Sequence, residues 1–359
     1  MKIVYISNSR TANSIHVMKM CQAFADNGHE VVLLAPDRYK EYENGVDDVY
    51  EFVRILKFYY KYMKGKVFFQ LFSILKILQK IHPELVYGRY TPGCLISSIF
   101  NYKTIFESHS PIWHSGFLDK FSFEIMKKMP SFKRLVVISN ALKNMYLENK
   151  YLINDKIQVA HDGADEVIDF ENKVELLGDK NSLKVGYVGH LYKGRGIELI
   201  IECAKNIKDM TFHIVGGTLE DIMYWKKQVK YLEIENIFFY GFVSPKEAVC
   251  YRILAPYANQ VSVSGNIGDT SKFMSPLKIF EYMSHKKAII CSDIPVLREV
   301  LSKKNSILVA ADNSQEWIIA IEELRNKKIR NKLSFQALDD FHDRYSWKQR
   351  SEKVIEGMN

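Results

Sequence analysis

The run Ser275-Pro276-Leu277-Lys278-Ile279-Phe280-Glu281-Tyr282-Met283 sets a proline-containing loop before a short helix with an acidic residue on an otherwise apolar face. A strand of small and β-branched residues, Ala288-Ile289-Ile290-Cys291-Ser292, follows it. A helix start offers backbone N–H groups to an anion. A carboxylate farther along the same helix can accept both hydrogen bonds of a vicinal diol, such as a ribose presents. Together these groups suit a diphosphate joined to a pentose. The run equally fits an amphipathic helix with a buried, hydrogen-bonded Glu281.

A second cluster lies at Lys184-Val185-Gly186-Tyr187-Val188-Gly189-His190-Leu191-Tyr192-Lys193-Gly194-Arg195-Gly196, a strand entering a glycine-rich basic turn before a helix. Glycine lets backbone approach a ligand closely, and Arg195, with Lys193 and His190, could neutralise a diphosphate. A tight turn with solvated basic side chains has the same composition. The spacing of Gly189, Gly194 and Gly196 departs from G-x-G-x-x-G, and no acidic residue suited to a nicotinamide ribose follows the first strand. Gly216-Gly217 and Gly241-Phe242-Val243 end two further strands, where main-chain groups could read a base or serve as plain turns. Glu107-Ser108-His109 ends another strand, and His109 could hydrogen-bond a sugar hydroxyl. After the first strand, Asn13 or Ser14 can cap a helix whose first turn holds His16.

These groups need a scaffold that delivers them from strand ends. Short apolar runs without alternation, at 3–6, 31–35, 85–87, 104–107, 135–138, 157–160, 185–188, 212–215, 237–240, 260–263, 288–291 and 307–310, predict parallel strands covered on both faces. Helical periodicity at 15–27, 71–80, 197–207, 245–253 and 317–326 alternates with them. About six strands fall on each side of a charged stretch, so two doubly wound α/β domains facing each other across a cleft are expected. The expected boundaries are 1–165, a linker at 166–183, 184–344, and a helix at 345–359 that returns to the first domain.

The chain has 359 residues, a formal charge of +8, 47% hydrophobic residues and 5 scattered cysteines. That length favours two cores, and the charge favours anionic partners. The cysteine spacing favours a reducing cytosol over a disulfide framework or metal cluster. With no long apolar run and no signal-like start, a cytoplasmic protein is expected. Arg54, Lys57, Lys61, Lys64 and Lys66 interleave with Phe58, Tyr59, Tyr60, Tyr62, Phe68 and Phe69. This suits an anionic membrane surface. A solvated helix–loop edge, or a helix packed on its own sheet, fits slightly better. Nothing resembles a nucleic-acid reading module.

Taken together, the chain resembles the retaining glycosyltransferases of family 4, of GT-B fold, along nearly its full length. Asn13-Ser14-Ile15-His16-Val17, Gly28-His29-Glu30-Val31, Glu107-Ser108-His109, His161-Asp162-Gly163, Gly189-His190-Leu191 with Arg195-Gly196, and the run 275–283 carry the resemblance. It implies metal-independent transfer of a sugar from a UDP- or GDP-linked donor, without a cofactor, to a saccharide, lipid-linked or small-molecule acceptor. Such reactions build polysaccharides, and a lipid-linked acceptor would bring the enzyme to the inner face of the membrane. Arg195 then takes the place of the family's diphosphate lysine, and Glu281 that of the ribose-binding glutamate. Met274, Ser275, Pro276 and Leu277 would face the sugar and β-phosphate. His109 would lie near donor sugar and acceptor, with Asn13, Ser14, His16 and Glu107 on the acceptor side. Two departures stand out: Phe273 replaces the motif's first glutamate, and His190 sits where an arginine is common. They also admit a non-catalytic nucleotide-sugar-binding partner as the alternative.

Overall fold

A computed structural model describes residues 1–8, 14–35, 59–62, 67–167, 176–192, 195–243 and 270–358. Asn13, Lys193, Gly194, the expected helix at 245–253 and the expected strand at 260–263 lie outside them, as does much of the basic aromatic segment. The chain divides into two compact units. One comprises residues 1–161 and 347–359, the other residues 162–346. The division falls between His161 and Asp162, ahead of the charged stretch at 166–183.

The first unit is built on a seven-stranded parallel sheet in the order β3-β2-β1-β4-β5-β6-β7. These are β1 (Lys2–Ile6), β2 (Glu30–Ala35), β3 (Tyr59–Tyr62), β4 (Leu85–Gly88), β5 (Thr104–Ser108), β6 (Phe132–Val137) and β7 (Ile157–Val159). Ile3, Val4, Tyr5 and Ile6 are fully buried, as unalternating strands covered on both faces must be. β3 occupies the tyrosine-rich segment read from sequence as a basic helix–loop edge. It pairs in parallel with β2, Val32 opposite Tyr59 and Ala35 opposite Tyr62. Tyrosine's preference for extended, half-buried backbone outweighs the intervening lysine there.

Strand order runs outward in one direction from β1 to β3 and in the other from β4 to β7. The chain therefore reverses direction between β1 and β4, the place where open α/β sheets gather ligands at their carboxyl ends. Around the sheet lie α1 (Ser14–Asp26), α2 (Val67–Ile81), α3 (Thr91–Ile99), α4 (Phe117–Met126) and α5 (Asn140–Glu148). Helix α5 is capped by Ser139, whose hydroxyl accepts the amide of Leu142.

The second unit holds β8 (Lys184–Val188), β9 (Thr211–Val215) and β10 (Ile237–Gly241), parallel in the order β10-β9-β8, together with the parallel pair β11 (Ile290–Ser292) and β12 (Ile307–Val309). Its helices are α6 (Ile197–Asn206), α7 (Leu219–Tyr231), α8 (Leu277–Ser284), α9 (Pro295–Arg298), α10 (Ser314–Glu323) and α11 (Lys327–Arg344). On α6, Ile197, Ile200, Ile201 and Ala204 form the buried face, at helical spacing. They pack with Phe212, Ile214, Trp225 and Trp317. Burying each such large side chain contributes about 1.5–3 kcal/mol. Both tryptophans satisfy their indole N–H, Trp225 on the Leu191 carbonyl at 2.6 Å and Trp317 on that of Ala310 at 2.9 Å.

The last helix, α12 (Trp347–Ile355), belongs to the first unit. Asn27 donates to the Lys348 carbonyl at 3.1 Å and the Ser351 hydroxyl at 2.7 Å. Gln158 donates to the Lys353 carbonyl at 2.7 Å, and Arg134 to that of Glu356 at 2.8 Å.

Candidate active site

In the first unit the chemistry centres on Glu107, at the carboxyl end of β5. Its side chain is wholly buried, yet it sits among four donors. Arg350 Nη2 reaches Oε1 at 2.8 Å, His109 Nε2 at 2.6 Å and His16 Nε2 at 3.0 Å. The hydroxyl of Tyr87, from neighbouring β4, donates to Oε2. Burial alone would raise the carboxyl's pKa. The Arg350 guanidinium, then His16 and the hydrogen bonds from His109 and His16, outweigh it and hold the group well below the usual carboxylate range. Glu107 is thus a fixed anion that orients two imidazoles.

The rings of His16 and His109 meet edge to face at 4.5 Å, and Trp347 closes on the other side of His16 at 5.2 Å. His16 is buried, whereas the His109 side chain keeps one-fifth of its surface exposed. His109 is therefore the member of the cluster that a substrate hydroxyl can reach. Arg350 also donates through Nε to the His161 carbonyl at 2.9 Å. The two histidines and Glu107 place ligand atoms within 4.8 Å of one another, a spacing that could hold a metal ion. The Arg350 guanidinium already supplies positive charge to the same carboxylate oxygen. Ser14 opens α1.

In the second unit three separated segments converge at strand ends. Gly189 follows β8 with φ 155°, and Gly216 follows β9 with φ 107°. A Cβ on Gly216 would lie 2.2 Å from the Gly189 carbonyl oxygen, and one on Gly189 would lie 2.8 Å from Lys278 Nζ. Only glycine fits at either point. Gly217 packs on Leu191, and the Gly216 amide donates to the Gly241 carbonyl at 2.7 Å, linking the three strand ends. Phe242, just beyond, is largely exposed, and Val243 packs with Val188, Val215 and Tyr240.

Positive charge collects beside Gly189. The Arg195 guanidinium lies over the Tyr192 ring at 4.5 Å and donates to its hydroxyl. Lys278 Nζ lies over the Tyr187 ring at 4.7 Å. Burial, then the nearness of Arg195, lowers the Lys278 pKa to about 7 despite the opposing pull of Cys291 and Glu281. His190 stacks on Tyr192 at 5.7 Å. Partial loss of water, then Arg195 and Lys278, push it below its ordinary value, so it is neutral near pH 7.

Helix α8 starts at Leu277, after Pro276 in extended conformation. Its amides lack a side-chain cap, which leaves a helix start suited to an anion. Ser275 is buried, and its hydroxyl accepts the Asp162 amide at 2.9 Å. Phe273 is buried to 3% exposure, so an apolar ring fills the place of the motif's first glutamate, while Met274 stays partly exposed. Glu281 lies three residues after Lys278, on the same face of α8.

Sequence reasoning named Glu107, His109, His16, Gly189, His190, Arg195 and Glu281, and the fold brings the first three together in one unit and Gly189, His190 and Arg195 together in the other. It missed Tyr87, Arg350 and Lys278. Lys278 had a signal, its i, i+3 relation to Glu281. Arg350 had none, because 243 residues separate it from Glu107.

Two family models match the chain in succession, Glycosyltransferase Family 4 over residues 14–167 and Glycosyl transferases group 1 over residues 182–327. The chain belongs to the family 4 glycosyltransferases. An uncharacterized glycosyltransferase of Methanocaldococcus jannaschii is 26% identical over 364 residues, covering 90% of this chain and 88% of the relative. Among solved structures, a glycosyltransferase from Rickettsia africae matches with TM-score 0.73 at 14% identity, over 99% of both chains. Anabaena HepE in complex with UDP matches with TM-score 0.73 at 15% identity, again over 99% of both. The fold is GT-B, as the sequence led one to expect, and the protein is a glycosyl-transferring enzyme with two Rossmann-like units. No described helix is long and apolar enough to cross a membrane.

Proposed function

We propose that this glycosyltransferase moves a sugar, with retention and without a metal ion, from a nucleoside diphosphate sugar to a saccharide or lipid-linked acceptor. The observation that carries this reading is the convergence of Arg195, Lys278 and the start of α8 beside the glycine strand ends, with Glu281 on the Lys278 face of that helix. HepE, of like fold, has been crystallised with UDP and with UDP-glucose, which makes UDP the first nucleotide to try. In this reading Arg195, Lys278 and the α8 amides stabilise the diphosphate as the glycosidic bond breaks, the part a metal plays elsewhere. Glu281 accepts the ribose hydroxyls. The Gly216–Gly217 and Phe242–Val243 backbone lies at the strand ends where a base would be read, and Ser275 and Met274 neighbour the donor sugar.

His109, oriented by Glu107, hydrogen-bonds the acceptor or the donor sugar. Glu107 and His16 position it and do not touch substrate. The departing phosphate takes the acceptor's proton, and the new bond forms on the face the leaving group vacates. Phe273 removes a carboxylate from donor recognition, so the sugar's hydroxyls are read by backbone amides. Incubation with a panel of UDP- and GDP-sugars and saccharide or polyprenyl-phosphate acceptors tests the reading. Nucleotide release that depends on acceptor, with the anomeric configuration kept in the product, is expected. Release that is indifferent to acceptor, or inverted product, would refute it.

A further inference from the structure

We propose that the acceptor carries an acidic group, a phosphate or a carboxylate, held by Arg89 and Tyr5 at the carboxyl edge of the first unit's sheet. This inference rests on the glycosyl-transfer reading above and names the class of acceptor. β1 and β4 pair with Tyr5 opposite Tyr87 and Ile6 opposite Gly88, and β4 and β5 with Gly88 opposite Phe106. The Arg89 amide extends the ladder by donating to the Ile6 carbonyl at 2.9 Å. Side chains alternate between the two faces along a strand. Tyr5, Tyr87, Arg89 and Glu107 therefore fall on one face, across the point where strand order reverses. The rings of Tyr5 and Tyr87 lie 5.3 Å apart. Burial, then Glu107, raise the Tyr5 pKa while the Arg89 charge opposes them, which places the phenol within electrostatic reach of both.

Two polar groups on this face go unmatched among the described residues. Tyr5 is fully buried, and its hydroxyl has no hydrogen-bond partner. Arg89 Nη1 is shut off from water, likewise without a partner. A cation kept from water without a counter-ion is costly, and native folds leave few buried polar atoms unsatisfied. Glu107, the acid level with Arg89, is already paired with Arg350 at 2.8 Å and with His16 and His109. A guanidinium presents a planar fork of donors that matches a phosphate or a carboxylate. Arg89 keeps part of its surface exposed, so a solute can reach it. Glu107 joins this corner to the acceptor side: the Tyr87 hydroxyl donates to its Oε2, and His109 Nε2 meets its Oε1 at 2.6 Å. The donor's diphosphate has Arg195 and Lys278 in the second unit, so an anion taken on the face that carries Glu107 belongs to the acceptor.

Calorimetric titration of the full chain, saturated with UDP so that the cations of the second unit are occupied, tests the site. The probes are glucose 6-phosphate, glucuronate, a short-chain polyprenyl phosphate and glucose. At least one acid is expected to bind about tenfold or more tightly than glucose, and the arms tell a sugar acid from a lipid phosphate. Arg89→Met should erase that preference, Arg89→Lys should keep part of it, and Tyr5→Phe should weaken it. Arg89→Met and Tyr5→Phe should melt no lower than the wild type, because each removes a buried polar atom that nothing in the fold satisfies. A lower melting temperature in both would make these groups structural and overturn the site. A wild type that binds UDP but takes no acid more tightly than glucose would overturn the acidic acceptor and leave the donor reading intact. Acid binding that survives Arg89→Met would overturn it as well.

Discussion

At the residue scale, charge and its neutralisation decide the two clusters. In the proposed donor site Arg195 stands where leaving-group charge would develop, and losing one such contact costs about 2–4 kcal/mol of barrier. Arg195→Ala should thus lower turnover about 30- to 1,000-fold, read from initial rates at saturating donor. Lys278 is the titrating partner. Its pKa is lowered to about 7 in the free protein, chiefly by burial, and in the proposed site a diphosphate would bind its ammonium form. UDP affinity should therefore fall as pH rises above about 7. Lys278→Met should weaken UDP binding and flatten that dependence, while uridine, which has no phosphate, binds both proteins alike at every pH. Calorimetric titrations between pH 6 and 8.5 would check both statements. A Lys278→Met profile parallel to the wild type would remove the lysine from the site.

At the scale of elements, the strands and helices that place the site were largely legible, because parallel strands buried on both faces are written as unbroken apolar runs. The expected strand at 31–35 is β2 within one residue, and that at 104–107 is β5 within one. β3 was misread because its tyrosines and lysine share the composition of a surface edge, and only pairing with β2 makes a strand of them. Helix α12 was legible as a helix, but not for its Arg350. Removing that guanidinium leaves Glu107 buried and uncompensated. Arg350→Met should cost about 3–5 kcal/mol in unfolding free energy, and adding Glu107→Gln should recover much of it by removing the charge. Denaturant titration of the single and double variants would tell. The Glu107 carboxyl is depressed in the fold, so its stabilisation is complete above the unfolded carboxyl value, about 4.3. It is lost as pH falls through the folded value. Acid unfolding should set in below that range in the wild type and be blunted in the double variant.

At the scale of the molecule, the first unit is discontinuous in sequence, residues 1–161 closed by 347–359. The expected helix at 345–359 contains α12, whose tether to Asn27, Arg134 and Gln158 no local pattern encodes. A chain ending at residue 346 should lose cooperative unfolding of the first unit while the second keeps its own transition. Scanning calorimetry would separate the two. The family was legible because its motifs are local. The histidine–glutamate–arginine network was legible only in part, because one of its members arrives from the far end of the chain.

A crystal structure with UDP bound tests the central claim most directly. The account predicts the diphosphate within hydrogen-bond reach of Arg195, Lys278 or the amides at the start of α8, and the ribose on Glu281. A UDP molecule bound elsewhere, with none of these groups touching it, would contradict it.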